Sequence, residues 1–118
     1  MKKIILILSF FLLISFQVKS NELKLQEVIK DLDSPWSLSF INENLVLVTE
    51  KSGSLALVDF ETKKIKKIQH NLDILEDGQG GLLEVLYYNN QVFVTYSENL
   101  NKGNSSTSIA KQNLMKIF

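Results

Sequence analysis

The sequence predicts an all-β fold built from antiparallel meanders. Three observations carry that expectation. From Leu23 onward, apolar runs of about four to eight residues alternate with turn formers. No stretch between Asn21 and His70 sustains a helical period. A run-turn-run unit recurs at an offset of about 46 residues.

Taken in order, Glu27-Val28-Ile29-Lys30 opens an extended stretch that Asp33-Ser34-Pro35 breaks. Trp36-Ser37-Leu38-Ser39-Phe40 alternates apolar with polar residues at period two, the pattern of a half-buried strand. Asn42-Glu43-Asn44 is a hairpin turn signal leading into Leu45 to Glu50, a strand rich in β-branched residues. Lys51-Ser52-Gly53-Ser54 supplies a second turn, with glycine available for positive φ. Leu55 to Phe60 and, after Glu61 to Lys64, Ile65 to His70 complete a four-stranded meander.

The pattern restarts with Leu82 to Tyr87, a turn at Asn89-Asn90, and Val92 to Tyr96. Asn99 to Thr107 reads as a polar loop, and Ser108 to Phe118 as extended again. The offset between the two meanders suits a four-stranded propeller blade, and a sandwich or barrel is compatible with the periodicity alone. The meander and the further strands leave open edges, which natural folds of this kind close.

Composition narrows the function classes. The 118 residues include 13 lysines, 13 acids, one histidine, and neither arginine nor cysteine. Disulfides, cysteine-based zinc sites and thiol nucleophiles are therefore excluded. Residues 1–20 carry Lys2, Lys3 and Lys19 and no acid, so the remainder is mildly acidic. An acidic, arginine-free chain is a poor nucleic-acid binder and lacks the polybasic face of a membrane-surface protein.

Those first 20 residues have the order of a secretory signal: two lysines, an apolar run from Ile4 to Phe16 broken by Ser9 and Ser15, then a short polar stretch. The run is shorter than the roughly 18 apolar residues of a spanning helix. Val18 and Ser20 are small enough for cleavage after Ser20, which leaves residues 21–118 as one exported domain with no stable membrane association. A lipid anchor would need a cysteine at the cut.

Three segments then carry a resemblance: Asp33-Ser34-Pro35-Trp36-Ser37-Leu38-Ser39-Phe40, Val48-Thr49-Glu50-Lys51-Ser52-Gly53, and Asp77-Gly78-Gln79-Gly80-Gly81-Leu82-Leu83-Glu84-Val85. In order and approximate spacing they resemble the start of the soluble periplasmic sugar dehydrogenases that depend on pyrroloquinoline quinone, the glucose/sorbosone dehydrogenase family. Thr95-Tyr96-Ser97-Glu98 continues the match, and the aspartate-to-leucine glycine loop is its most specific piece. The resemblance implies a β-propeller fragment, the first blade and part of the second of about six. Lys51 stands where an arginine is usual, and Tyr87-Tyr88-Asn89-Asn90 replaces a longer turn.

What the resemblance implies for function is oxidation of an aldose to a lactone. A histidine takes the hydroxyl proton while hydride passes to the quinone, whose carbonyl is polarised by calcium. Of that apparatus this chain supplies Gln79 as a substrate-binding residue, its amide bonding a sugar hydroxyl beside the reacting carbon. The catalytic histidine, quinone-facing cations and calcium ligands belong to later segments, so the chain alone is expected to be inactive, as an N-terminal fragment. A non-catalytic exported β-sheet binding module and a lactonase-like or NHL-like propeller fragment are the alternatives.

Other candidates read more plainly. Asp77 suits turn chemistry that orients the glycine loop. Trp36 reads as core. His70 has no serine, cysteine or carboxylate constellation nearby in sequence and reads as an edge residue. Lys63, Lys64, Lys66 and Lys67 read as the guard of an edge strand. Asp31 with Asp33, and Glu76 with Asp77, fall short of the six to eight oxygens of a calcium site.

Overall fold

The computed structural model describes residues 22–116, so the expected signal segment lies outside the described residues. Seven strands form two antiparallel sheets. The first contains β1 (Pro35–Phe40), β2 (Leu45–Glu50), β3 (Leu55–Asp59) and β4 (Lys64–Ile68), paired in chain order. The second contains β5 (Leu82–Tyr88), β6 (Gln91–Asn99) and β7 (Ser105–Asn113), followed by a 3-10 turn at Leu114–Lys116.

Turn chemistry fixes the hairpins. Asn42 Oδ1 accepts the main-chain N–H groups of Asn44 and Leu45, each at 2.9 Å, and closes the β1–β2 turn. Asp59 does the same for Glu61 and Thr62 after β3. Between β5 and β6, Asn89 and Asn90 both take positive φ, 47° and 62°, which gives the two-residue turn whose twist matches the flanking strands.

The sheets face each other across a core of Leu47, Leu55, Leu57, Leu82, Val85, Val92, Val94, Tyr96 and Leu114. The opposite face of the first sheet, with Val46, Val48, Ala56 and Val58, is partly covered by Ile29 and Leu32 of the preceding segment. Covering on both sides is why β2 and β3 read as continuous apolar runs.

Four expectations change. Glu27 to Lys30 joins no ladder; it lies in a strap over the sheet, held by Lys63 Nζ donating to the Val28 carbonyl at 3.0 Å. Trp36 is not core. Register slips between Pro35 and Ser37, which places Trp36 in a bulge with 43% exposure. The loop expected from Asn99 to Thr107 shrinks, because β6 runs through Asn99 and β7 begins at Ser105. Asn101, Lys102 and Gly103, all at positive φ, make the reversal, so the serines and Thr107 are free to extend an exposed strand. Finally, the extended reading from Ser108 ends at Asn113, where Leu114 turns into the core.

The alternation in β1 is present with its expected faces exchanged. Leu38 and Phe40 are exposed, at 56% and 54%, while Ser37 and Ser39 point toward β5. A hydroxyl serves there because β5 presents unpaired main-chain N–H groups. Ser37 Oγ accepts from Val85 N–H at 3.4 Å, and Ser39 Oγ accepts from Tyr87 N–H at 2.8 Å. Thr49 Oγ1 adds a bond to the Leu83 carbonyl.

Candidate functional site

The glycine loop before β5 is built between two supports. On one side, β6 holds both of its arms: Leu75 N–H donates to the Ser97 carbonyl at 2.8 Å, and Ser97 N–H to the Gly81 carbonyl at 2.9 Å. Between those arms Gly80 N–H donates to the Asp77 carbonyl at 2.6 Å and closes a tight turn with Gln79 at its tip. The orienting group in Asp77 is therefore its main-chain carbonyl.

The other support is the β2–β3 turn. Lys51 Nζ donates to the Gly78 carbonyl at 2.6 Å, and Leu82 N–H donates to the Lys51 carbonyl at 3.2 Å. Two glycines are required by this closeness. A Cβ at Gly81 would collide with the Lys51 carbonyl, and one at Gly80 would stand 2.8 Å from Ser97 Oγ.

Lys51 also reaches the third segment. Its N–H donates to the Ser34 carbonyl at 3.1 Å, and the adjacent Glu50 accepts the Asp33 N–H on Oε1 at 2.9 Å. The three sequence segments that carry the family resemblance therefore meet at one end of the sheets. Spacing along the chain does not reveal this convergence; only the pairing of β2 with β1 and the return of the loop onto β2 create it.

Glu50 is almost fully buried, at 1% exposure, and Lys67 from β4 makes a salt bridge to its Oε2. Burial pushes this carboxyl up. Hydrogen bonds from Lys67, the Asp33 N–H and the Ser54 hydroxyl, together with the Lys67 charge, outweigh burial and hold it below the usual carboxylate range. The sequence reading placed Lys67 among edge-guarding lysines and missed this pair. Its signal is that Lys67 falls opposite Ala56, on the same face as Val48 and Glu50.

Gln79 is exposed at the loop tip, and among the described residues its side chain has no hydrogen-bond partner. His70 is differently placed: Nε2 bonds the Gly53 carbonyl at 2.7 Å and Nδ1 accepts the Leu72 N–H at 3.3 Å. With both ring nitrogens engaged by main chain, His70 ties the end of β4 to the β2–β3 turn. It also lines a groove of about 490 Å3 between the rims of β4 and β7, whose lining includes none of residues 77–81.

Among the described residues no group of three or more His, Asp or Glu side chains converges as a metal site requires, and no helix is long and apolar enough to cross a membrane.

Residues 32–117 match the family described as Glucose / Sorbosone dehydrogenase. Among solved structures, a glucose dehydrogenase is similar with 29% identity and a TM-score of 0.71, over 78% of this chain and 28% of that one. The soluble aldose sugar dehydrogenase of Escherichia coli, in its apo-form, is similar with 30% identity and a TM-score of 0.66, over 75% of this chain and 27% of that one. The PQQ-bound aldose sugar dehydrogenase of Streptomyces coelicolor shares the fold, with 22% identity and a TM-score of 0.63 over 74% of this chain and 26% of that one. Direct sequence comparison with curated proteins gives no match. The chain thus spans a little over a quarter of the length of these solved structures, and its two sheets are adjacent blades of their β-propeller fold. By this match over most of its length, the chain belongs to the glucose/sorbosone dehydrogenase family.

Proposed function

We propose that this chain forms part of an exported quinoprotein that oxidises the anomeric hydroxyl of an aldose to the lactone, with pyrroloquinoline quinone as the two-electron acceptor that balances the reaction. Its own contribution is the wall of the sugar site at Gln79. The observation that carries this reading is the clamped glycine loop, which holds an unengaged carboxamide outward at the point where the three family segments meet. A carboxamide can both donate to and accept from a hydroxyl, which suits a neutral sugar.

Glu50 is committed to Lys67 and the Asp33 N–H, and we assign no calcium ligand to this segment. No chemical step is therefore assigned to this segment through metal or quinone. Its part is to bind and orient. Export to the periplasm is supported by the Lys2-Lys3 and Ile4 to Phe16 order.

The test is a graft in which residues 22–116 replace the matching segment of the Escherichia coli enzyme. Supplied with quinone and calcium, the graft is expected to reduce a dye with aldoses and release lactone. A folded, quinone-loaded graft that oxidises no aldose would overturn the reading.

A further inference from the structure

We infer that Lys51 is the positioning residue for Gln79, setting where its carboxamide stands through a bond from Nζ to the loop that carries it. This rests on the reading of Gln79 as a sugar-binding residue.

Lys51, itself in one of the three converging segments, bonds the other two, and it does so with three different groups. Its N–H holds Ser34, its carbonyl holds the start of β5 at Leu82, and its Nζ holds Gly78, the residue before Gln79. The main-chain bonds place the β2–β3 turn against the loop. Packing does little to hold the tip, since Gly78 takes φ of 53° and nothing lies within 4 Å of where its Cβ would be. A glycine in open space is free to move. Within the tip, the closing bond runs from Gly80 N–H to the Asp77 carbonyl, and among the described residues the side chain bonded to it is that of Lys51.

An ammonium donating to a carbonyl is a charge-assisted bond, stronger than a neutral one, and it acts here on the backbone one residue from the group to be placed. The chemistry is also selective for a cation with a long stem. Replacement by methionine keeps every main-chain bond of Lys51 and removes only the Nζ contact, so the turn is expected to fold. Arginine keeps a charged donor of similar reach.

The experiment uses the full-length graft with Lys51→Met, Lys51→Arg and Gln79→Ala, each followed by hydrogen exchange of the 77–82 segment and by steady-state kinetics with an aldose. Lys51→Met is expected to speed exchange at the Gly80 amide about tenfold and to raise KM for sugar about fivefold with kcat within about twofold, the signature of lost binding common to ground and transition states. Lys51→Arg is expected to restore both. A merely structural role would lower the melting temperature and leave KM unchanged in the folded fraction.

Unchanged loop exchange and KM in Lys51→Met, with Gln79→Ala still impaired, overturns the clamp and leaves the sugar reading standing. Faster loop exchange in Lys51→Met, with Gln79→Ala indistinguishable from the parent, supports the clamp and overturns the sugar reading. Should Lys51→Met not accumulate as folded protein, Lys51→Gln, with a shorter neutral donor, is expected to show the same KM shift, and its absence there overturns the proposal.

Discussion

Ser39 Oγ accepts the main-chain N–H of Tyr87 at 2.8 Å, so a side chain of the first sheet closes a hydrogen bond that β5, an edge strand of the second, leaves open. The joint between blades is therefore partly polar. Removing the hydroxyl strands a half-buried donor, and an unpaired buried group costs about 1 to 3 kcal/mol.

Ser39→Ala is accordingly expected to destabilise the full-length graft by about that amount in a denaturant unfolding titration. Ser39→Thr, which keeps the hydroxyl on a β-branched stem suited to a strand, should lose less. Equal losses in the two variants would show that the hydroxyl does not matter.

This joint also shows what the sequence made legible. Strand order, turn positions and the blade-length repeat follow from period-two patterning and from asparagine, aspartate and glycine at the reversals, all local properties. Which face of β1 is buried is not local. Apolar-polar alternation fixes two faces without naming the inner one, and here the serine face turns inward because β5 offers N–H groups to it. Trp36 was misread for a related reason: hydrophobicity argues for burial, but the bulge at Pro35/Ser37 removes it from the ladder. Gln79 drew attention through its motif, whereas Lys51 was visible only as a departure from the family pattern until the loop came to rest on it.

The Glu50–Lys67 pair gives a pH dependence with a definite sign. The folded carboxyl titrates below its usual range. Its stabilisation is thus complete above the ordinary glutamate pKa and is lost as pH falls through the folded value. Lys67→Met removes the strongest favourable partner of a buried carboxylate. Lys67 itself is 47% exposed, so screening reduces the effect, and a loss of about 1 to 3 kcal/mol near neutrality is expected. Because a protonated Glu50 has no need of the lysine, the gap between variant and parent should narrow as the solution is acidified. A gap constant with pH would show that Lys67 contributes through packing alone.

Residues 21–118 in isolation are expected to show no aldose oxidation with quinone and calcium, and no sharp cooperative melt as a monomer. Leu38, Phe40, Leu86 and Ile109 stand exposed on strands, and β7 presents an unpaired edge among the described residues. Calorimetry and a dye-reduction assay check this. Turnover by the isolated chain, or a sharp monomeric transition, would contradict it.

Export is expected to remove residues 1–20. N-terminal sequencing of periplasmic material should begin at or within a few residues of Asn21, and recovery of intact Met1 protein in the cytoplasm would count against a cleaved signal.

The most direct measurement is kcat/KM for an aldose in the full-length graft with and without Gln79→Ala, normalised to folded, quinone-loaded protein. Loss of one hydrogen bond to a neutral hydroxyl is worth about 0.5 to 1.5 kcal/mol, or roughly a two- to twelvefold fall in kcat/KM. Quinone affinity and melting temperature should stay near the parent values, because the main-chain bonds of residues 75–82 and the Lys51 clamp set the loop without the Gln79 side chain. A variant that melts earlier yet turns over sugar at the parent rate per folded molecule would contradict the assignment and make Gln79 a structural residue of the loop.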